Sequence, residues 1–222
     1  MPADKTLFAG FGGQGVLMMG FCLASAAMAE DKHVTYMPSY GAEVRGGTAN
    51  CTICIDTEEI ASPIASSPDC LVALNEPSLV RFQNTIKPGG LCISNATLIS
   101  IKLPRSDVRE FRIPAGEIAE AAGSLRSANM VILGAFAAAT GAVSLDTLQQ
   151  TVENITAKKR KDLADMNRKA ILAGYEFVKN LMKEEAARKK TSLAKAKKAV
   201  PKKKNVAQKN KKKNGPDYYL PG

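Results

Sequence analysis

Residues 6–30 read TLFAGFGGQGVLMMGFCLASAAMAE, and this stretch decides the fold. A short apolar run, Leu7-Phe8-Ala9, reaches the glycine cluster Gly10-Phe11-Gly12-Gly13-Gln14-Gly15. An apolar segment then continues without a breaker to Glu30 and Asp31. That is the order strand, tight loop, helix, with the helix expected to start near Gln14. Gly10, Gly12 and Gly15 match the G-x-G-x-x-G spacing of a nucleotide-binding turn, where missing side chains let backbone amides and a helix N-terminus approach a phosphate. The nicotinamide version also needs an acid at the end of the second strand to hold the ribose hydroxyls. Here His33-Val34-Thr35-Tyr36-Met37 runs into Pro38 with no acid at that end, and Asp31 comes before it. The expectation is Rossmann-like geometry without NAD.

Residues 38–47, PSYGAEVRGG, hold three glycines, a proline, an acid and an arginine between two strand-like runs. A long glycine-rich loop after a strand's carboxyl end belongs on the same rim as the glycine turn, where open α/β sheets bind ligands. Glu43 and Arg45 could also simply pair with each other or with water. The weight falls on a ligand-facing rim built from Gly10, Gly12, Gly13, Gln14 and Gly15 with Tyr40, Glu43, Arg45, Gly46 and Gly47. No residue is assigned a catalytic role.

The chain has 222 residues and a net charge of +10, but that charge is a property of its tail. Thirteen of the 31 lysines and arginines lie beyond Glu185 against one of the 21 acids, which leaves 18 basic and 20 acidic residues before it. Two parts are therefore expected, an α/β domain over 1–185 and a lysine-rich, low-complexity tail over 186–222. The tail has the composition of a disordered segment that attracts polyanions without base-specific contacts. A solvated solubility tail fits the same composition.

Five cysteines, Cys22, Cys51, Cys54, Cys70 and Cys92, are scattered through apolar runs, as suits reduced thiols in a cytoplasm. Cys51 and Cys54 have C-x-x-C spacing, but residues 48–56 alternate like a strand, and side chains three apart on a strand point to opposite faces. With no second pair and a single histidine, no metal site is expected. Residues 16–29 are too short to span a bilayer and are preceded by a single lysine, Lys5, so they read as a helix packed between a sheet and a partner.

Further along, residues 70–74 (CLVAL) read as a buried parallel strand, and Asn75 with Pro77 opens a helix to about Thr85. Residues 91–94 make the next strand, 108–113 an edge strand, and 115–122 a helix. Residues 129–142, NMVILGAFAAATGA, form a small-residue helix expected to pack deeply, against the core or another subunit. Ser144 caps the helix after it, and 161–185 carry an apolar face at helical spacing. The fold class expected is a mostly parallel Rossmann-like sheet flanked by helices, with C-terminal helices and a basic tail.

The stretches GFGGQGV (10–16), PSYGAEVRGGTANC (38–51), PDCLVALN (68–75), KPGGL (87–91) and NMVILGAF (129–136) together resemble the gamma subunit of a 2-oxoacid:ferredoxin oxidoreductase. The resemblance covers about residues 5–180, and the basic tail departs from it. The loop at 40–47 resembles the 2-oxoglutarate and branched-chain 2-oxoacid types more than the indolepyruvate type, and the resemblance implies 2-oxoglutarate first, with a branched-chain 2-oxoacid or pyruvate next. The resemblance implies CoA-dependent oxidative decarboxylation of a 2-oxoacid to an acyl-CoA, CO2 and reduced ferredoxin. It also implies thiamine diphosphate, Mg and iron–sulfur clusters on alpha, beta and possibly ferredoxin-like delta subunits, none of these bound by this chain alone. CoA would be the co-substrate, approaching a wall that this subunit completes. The implied setting is cytoplasmic, with no membrane partner. Two other classes stay open on the residues: a free-standing nucleotide-binding Rossmann protein, and a polyanion-binding protein acting through its tail.

Overall fold

A computed structural model describes residues 5–40, 47–64, 66–157 and 161–199. Tyr40 is described by its backbone alone. Glu43, Arg45 and Gly46, and the tail beyond Ala199, lie outside the described residues. The chain divides into a compact unit, Met1–Lys183, and a second unit, Glu184–Gly222.

The described residues of the first unit build one six-stranded sheet around β1 (Lys5–Phe11). The others are β2 (His33–Tyr40), β3 (Thr48–Asp56), β4 (Cys70–Ala73), β5 (Leu91–Asn95) and β6 (Arg109–Ile113), in the order β2-β3-β1-β4-β5-β6. The pairs β1·β4, β4·β5 and β5·β6 are parallel, while β3 runs antiparallel to both β1 and β2. The expected strand–helix–strand opening is present: α1 (Val16–Met28) connects β1 to β2, which point the same way. What periodicity did not show is that β3 folds back between them.

Alternation along the central strands divides the core into two layers, because successive strand side chains face opposite sides. Phe8, Cys70, Val72 and Ile93 face α1 and the later helices. Leu7, Ala9, Leu71, Ala73 and Cys92 face Leu79 of α2 (Glu76–Phe82), with Ile86 and Ile99 beside them. α2 begins where sequence placed it, with the Asn75 side chain accepting from Ser78 N–H at 2.9 Å. A 3-10 turn, Gln83–Thr85, completes that segment. α1 buries Val16, Met19, Cys22, Leu23 and Ala27 on the sheet, while Met18, Phe21 and Met28 remain exposed. The Cys51 thiol points to the Val16 carbonyl (3.7 Å) and that of Cys54 to the Pro63 carbonyl (3.6 Å), so the two diverge as strand geometry requires. Burial pushes the Cys22, Cys51 and Cys92 thiols up to about 12, and all five cysteines are buried and unbridged.

α3 (Ala115–Ala121) leads to α4 (Ala128–Thr140), the small-residue helix, which is buried along nearly its whole length. Phe136 lies against Phe8 with ring centroids 5.5 Å apart, joining α4 to the middle of the sheet. α5 (Leu145–Ala157) and α6 (Lys161–Ala199) follow. The close neighbour of α4 is α6 of this chain. A Cβ at Gly134 would strike the Ile171 carbonyl, and a Cβ at Gly174 the Val131 carbonyl. The two helices thus meet backbone to backbone, and the small residues are explained inside the subunit. In the second unit, Arg188 pairs with Glu184 at 3.7 Å, one turn apart on α6.

The far end of α1 is tied to the α4–α5 corner by charge. Glu30 accepts from Lys32 Nζ at 2.7 Å and from Ser144 N–H at 2.7 Å, and Lys32 also donates to the Ala142 carbonyl at 2.6 Å. Partial burial alone would raise the Glu30 carboxyl. Hydrogen bonds from Lys32, Ser144 and Thr147 outweigh it and hold the group at about 2.

Two outcomes are expected. Glycine to alanine in an open helix gains about 1 kcal/mol from propensity. Gly134→Ala and Gly174→Ala should instead lose about 1–3 kcal/mol, because the clash is with backbone that no rotamer change relieves. An unchanged or raised thermal midpoint would show that α4 and α6 can separate cheaply. Glu30→Gln should cost about 1–2 kcal/mol at neutral pH, after allowance for solvent screening. A carboxyl with a lowered folded pKa stabilises fully above its ordinary value near 4.5 and loses that contribution as pH falls towards 2. The gap between wild type and variant should therefore shrink as pH falls from 5 towards 2; a gap of undiminished size at pH 2 in urea titrations would count against the ion pair.

Candidate functional site

The parallel strands β1, β4 and β5 end on one rim, and the helices after β1 and β4 leave on opposite faces of the sheet. That is the switch point at which an open α/β sheet has a crevice. The chain after β1 cannot continue as strand through its glycines. Gln14 N–H bonds the Phe11 carbonyl at 3.1 Å to close a turn, and Gly13 and Gly15 take φ of 94° and 78°. α1 therefore starts at Val16, two residues later than the sequence suggests, with Gly15 as a cap that offers no side chain.

The turn is shaped by one side chain. Gln14 Oε1 accepts from Phe11 N–H at 2.7 Å and from Asn75 Nδ2 at 2.8 Å. Gly10 leaves room for that oxygen, since a Cβ there would lie 2.8 Å from it and 2.8 Å from a Val16 methyl. Asn75 works in two directions, capping α2 through Oδ1 and clamping the turn through Nδ2. Of the residues expected at this rim, Gly10, Gly12, Gly13, Gln14 and Gly15 form the turn itself. The Gly12 N–H donates to the Gly47 carbonyl at 2.9 Å, and Phe11 pairs with Thr48, so the far end of the loop returns onto the turn. The Tyr40 backbone pairs with Ala49 on the adjoining strand.

A cleft of about 300 Å³ opens beside the turn, over the ends of β4 and β5. Gln14, Leu74, Asn95, Leu125, Arg126 and Asn129 are among its walls. The Asn129 amide rests against Gly15, where any Cβ would collide with it. Asn95 Oδ1 accepts from Thr97 N–H at 3.2 Å. Thr97 Oγ1 accepts from Gly116 N–H at 2.8 Å and donates to Glu117 at 2.5 Å, holding the start of α3 in place. That hydroxyl and the backbone N–H of Glu117 keep its carboxyl below the usual range. Sequence reasoning singled out neither Asn95 nor Arg126, and it placed Asn75 and Asn129 only as helix starts. Asking which polar residues follow each parallel strand would have found Asn75 and Asn95.

The family model described as pyruvate ferredoxin/flavodoxin oxidoreductase matches residues 5–177. The chain belongs to this family. It is 34% identical over 175 residues to the 2-oxoglutarate synthase subunit KorC of Methanocaldococcus jannaschii, covering 92% of that protein and 78% of this chain. It is 41% identical over 180 residues to the ketoisovalerate oxidoreductase subunit VorA of Methanothermobacter thermautotrophicus, covering 80% of this chain. The match spans only 37% of the VorA length. Among solved structures, the gamma subunit of a keto/oxoacid ferredoxin oxidoreductase from Geobacter sulfurreducens is similar at a TM-score of 0.67 and 28% identity, over 78% of this chain and 97% of that one. These relatives are subunits of oxidoreductases, and the Geobacter structure shares the α/β fold of this chain.

Among the described residues no group of three histidines, cysteines or carboxylates converges on a point, and the thiols are buried separately. No described helix is long and apolar enough to cross a membrane.

The clamp can be tested by separating the two roles of Asn75. Asn75→Asp keeps an acceptor for Ser78 N–H but removes the donor to Gln14, whereas Asn75→Ala removes both. Loss of a cap costs about 1 kcal/mol. Asn75→Asp should preserve α2 yet alter amide shifts from Phe11 to Val16 in NMR spectra, and Asn75→Ala should perturb both regions. Unmoved turn resonances in Asn75→Asp would show that Gln14 holds the turn unaided.

Proposed function

We propose that this chain is the gamma-type subunit of a 2-oxoacid:ferredoxin oxidoreductase, working on 2-oxoglutarate or a branched-chain 2-oxoacid in the cytoplasm. It has no complete active site of its own. The observation that carries this reading is the hydrogen bond from Gly12 N–H to the Gly47 carbonyl, which joins the glycine turn and the returning loop into one rim. The same two motifs carry the resemblance to the family.

Thiamine diphosphate, Mg and the iron–sulfur clusters belong on alpha, beta and delta-type partners in this reading. The buried, scattered thiols of the gamma chain offer no clustered ligands. The task left to this chain is to complete the wall of the site. Its rim brings backbone N–H groups and a glycine-capped helix start close to an approaching anion, which suits the phosphates of CoA. Arg45, in the loop, would add a cation whose fork matches phosphate or carboxylate. The substrate acid is selected elsewhere, next to the thiamine.

The assembled complex should reduce a low-potential dye only when a 2-oxoacid and CoA are both present. A panel of 2-oxoglutarate, 3-methyl-2-oxobutanoate and pyruvate would identify the acid. Arg45→Ala should weaken CoA dependence on the order of ten- to a hundred-fold with assembly intact. A complex that turns over without CoA, or a chain that copurifies with no partner, would overturn the proposal.

A further inference from the structure

α1 carries no charged side chain from Val16 to Met28, and only one of its sides is covered. Val16, Met19, Cys22, Leu23, Ala26 and Ala27 are buried against the sheet and the later helices. On the other side Met18, Phe21 and Met28 are 38%, 47% and 65% exposed. Leu17 and Ser25 are half-buried there, and Ala29 is exposed. These six positions recur at helical spacing and form one stripe. Beside it lies β2, the outermost strand of the sheet, so no further strand shields it. Tyr36 of β2 donates its hydroxyl to the Leu17 carbonyl at 3.1 Å and meets the Phe21 ring edge-on, with centroids 6.5 Å apart. Phe21 is thus propped outward near the middle of the stripe. The sequence reads α1 as a helix between a sheet and a partner. The sheet covers one face, and the stripe is what remains for the partner.

We propose that this stripe packs against the same stripe of a second copy of the chain, the two α1 helices running antiparallel about a two-fold axis opposite Leu23. The stripe is its own complement in that arrangement. A two-fold contact pairs residue i with j and j with i, so positions equidistant from Leu23 come together. Phe21 meets Ser25 of the second copy, and Leu17 meets Ala29, a large side chain over a small one each time. Met18 meets Met28, two flexible side chains that fill irregular gaps. Charge favours the antiparallel direction. The helix starts after Gly15 with no acid in its first turn, and it ends before Glu30 and Asp31 with no base in its last. Antiparallel packing sets the acidic end of one helix beside the amide end of the other, whereas parallel packing would set like ends together. No ionised group within the 13 residues of the helix has to be desolvated. A helix of that length is about 20 Å long, so pairing through α1 buries less than a permanent interface does, and the dimer is reversible. None of this depends on which reaction the assembled enzyme performs.

Sedimentation velocity of the purified full chain over a wide concentration range tests it, at an ionic strength high enough to screen the lysine-rich tail. A concentration-dependent monomer–dimer equilibrium is expected. Phe21→Asp should weaken it on the order of tenfold or more. The unfolding midpoint should hold, since the ring is already half exposed in the single chain. Direction is read from cysteine pairs. Under mild oxidation a mixture of Met18→Cys and Met28→Cys chains should form the mixed disulfide. Either variant alone should not, because equal positions lie about 15 Å apart along the axis. A chain that stays monomeric throughout, or a dimer that a stably folded Phe21→Asp leaves unchanged, overturns the proposal. Equal cross-linking of either cysteine variant alone overturns the antiparallel register. A monomer whose Phe21→Asp form loses only its assembly with other subunits gives the stripe to a different protein, and that overturns the second copy.

Discussion

The meeting of α4 and α6 at Gly134 and Gly174 is the constraint on which the rest of the molecule depends. Two backbones in contact leave no slack, so α4 has one height above the sheet and one rotation. Phe136 then reaches Phe8 at the centre of β1, and the first turn of α4 is held where Asn129 touches Gly15. A close contact on the outer side of the helix layer thus fixes the wall of a cleft on the rim. Dispersion and apolar burial supply the energy, and the absent side chains supply the position.

The rim itself is organised by an amide rather than by a charge. Gln14 joins the end of β1 to Asn75 across the point where the helices part to opposite faces, which sets the turn before any ligand arrives. Such a turn loses little freedom on binding, and preorganisation of this kind favours affinity without adding contacts. The antiparallel return of β3 brings Gly47 onto Gly12, so the loop between β2 and β3 begins and ends on the same edge as the turn.

Much of the fold was legible because its signals are local. The strand–glycine–helix opening, the Asn75 cap, the Ser144 cap and the alternation over β3 follow from nearest-neighbour chemistry. The order of strands was not legible in the same way: that β3 lies between β1 and β2 depends on pairing between distant segments. The site divides along the same line. The glycine turn announced itself through spacing, and its partner loop through length. Gln14 was seen as a ligand residue, yet its oxygen is spent on Phe11 and Asn75, and no local pattern shows where a long side chain goes. Arg126 and Asn95 had no motif around them, and only the packing of α3 and α4 over the strand ends brings them together. The small-residue helix was correctly read as tightly packed, and its tight partner proved to be α6 of the same chain.

The five buried thiols have a practical consequence. While folded, the chain is nearly silent to alkylating and disulfide-exchange reagents, because burial keeps the reagents from the sulfur atoms. Each cysteine therefore becomes a clock for the opening of its own neighbourhood: Cys22 for α1, Cys70 and Cys92 for the middle of the sheet, and Cys51 and Cys54 for opposite faces of β3. Their labelling rates would chart, without altering a residue, which layer of the subunit loosens first and which tightens when partners assemble around it. A cysteine introduced on the surface would stand out chemically against this quiet background, so a single probe could be attached without removing any native thiol.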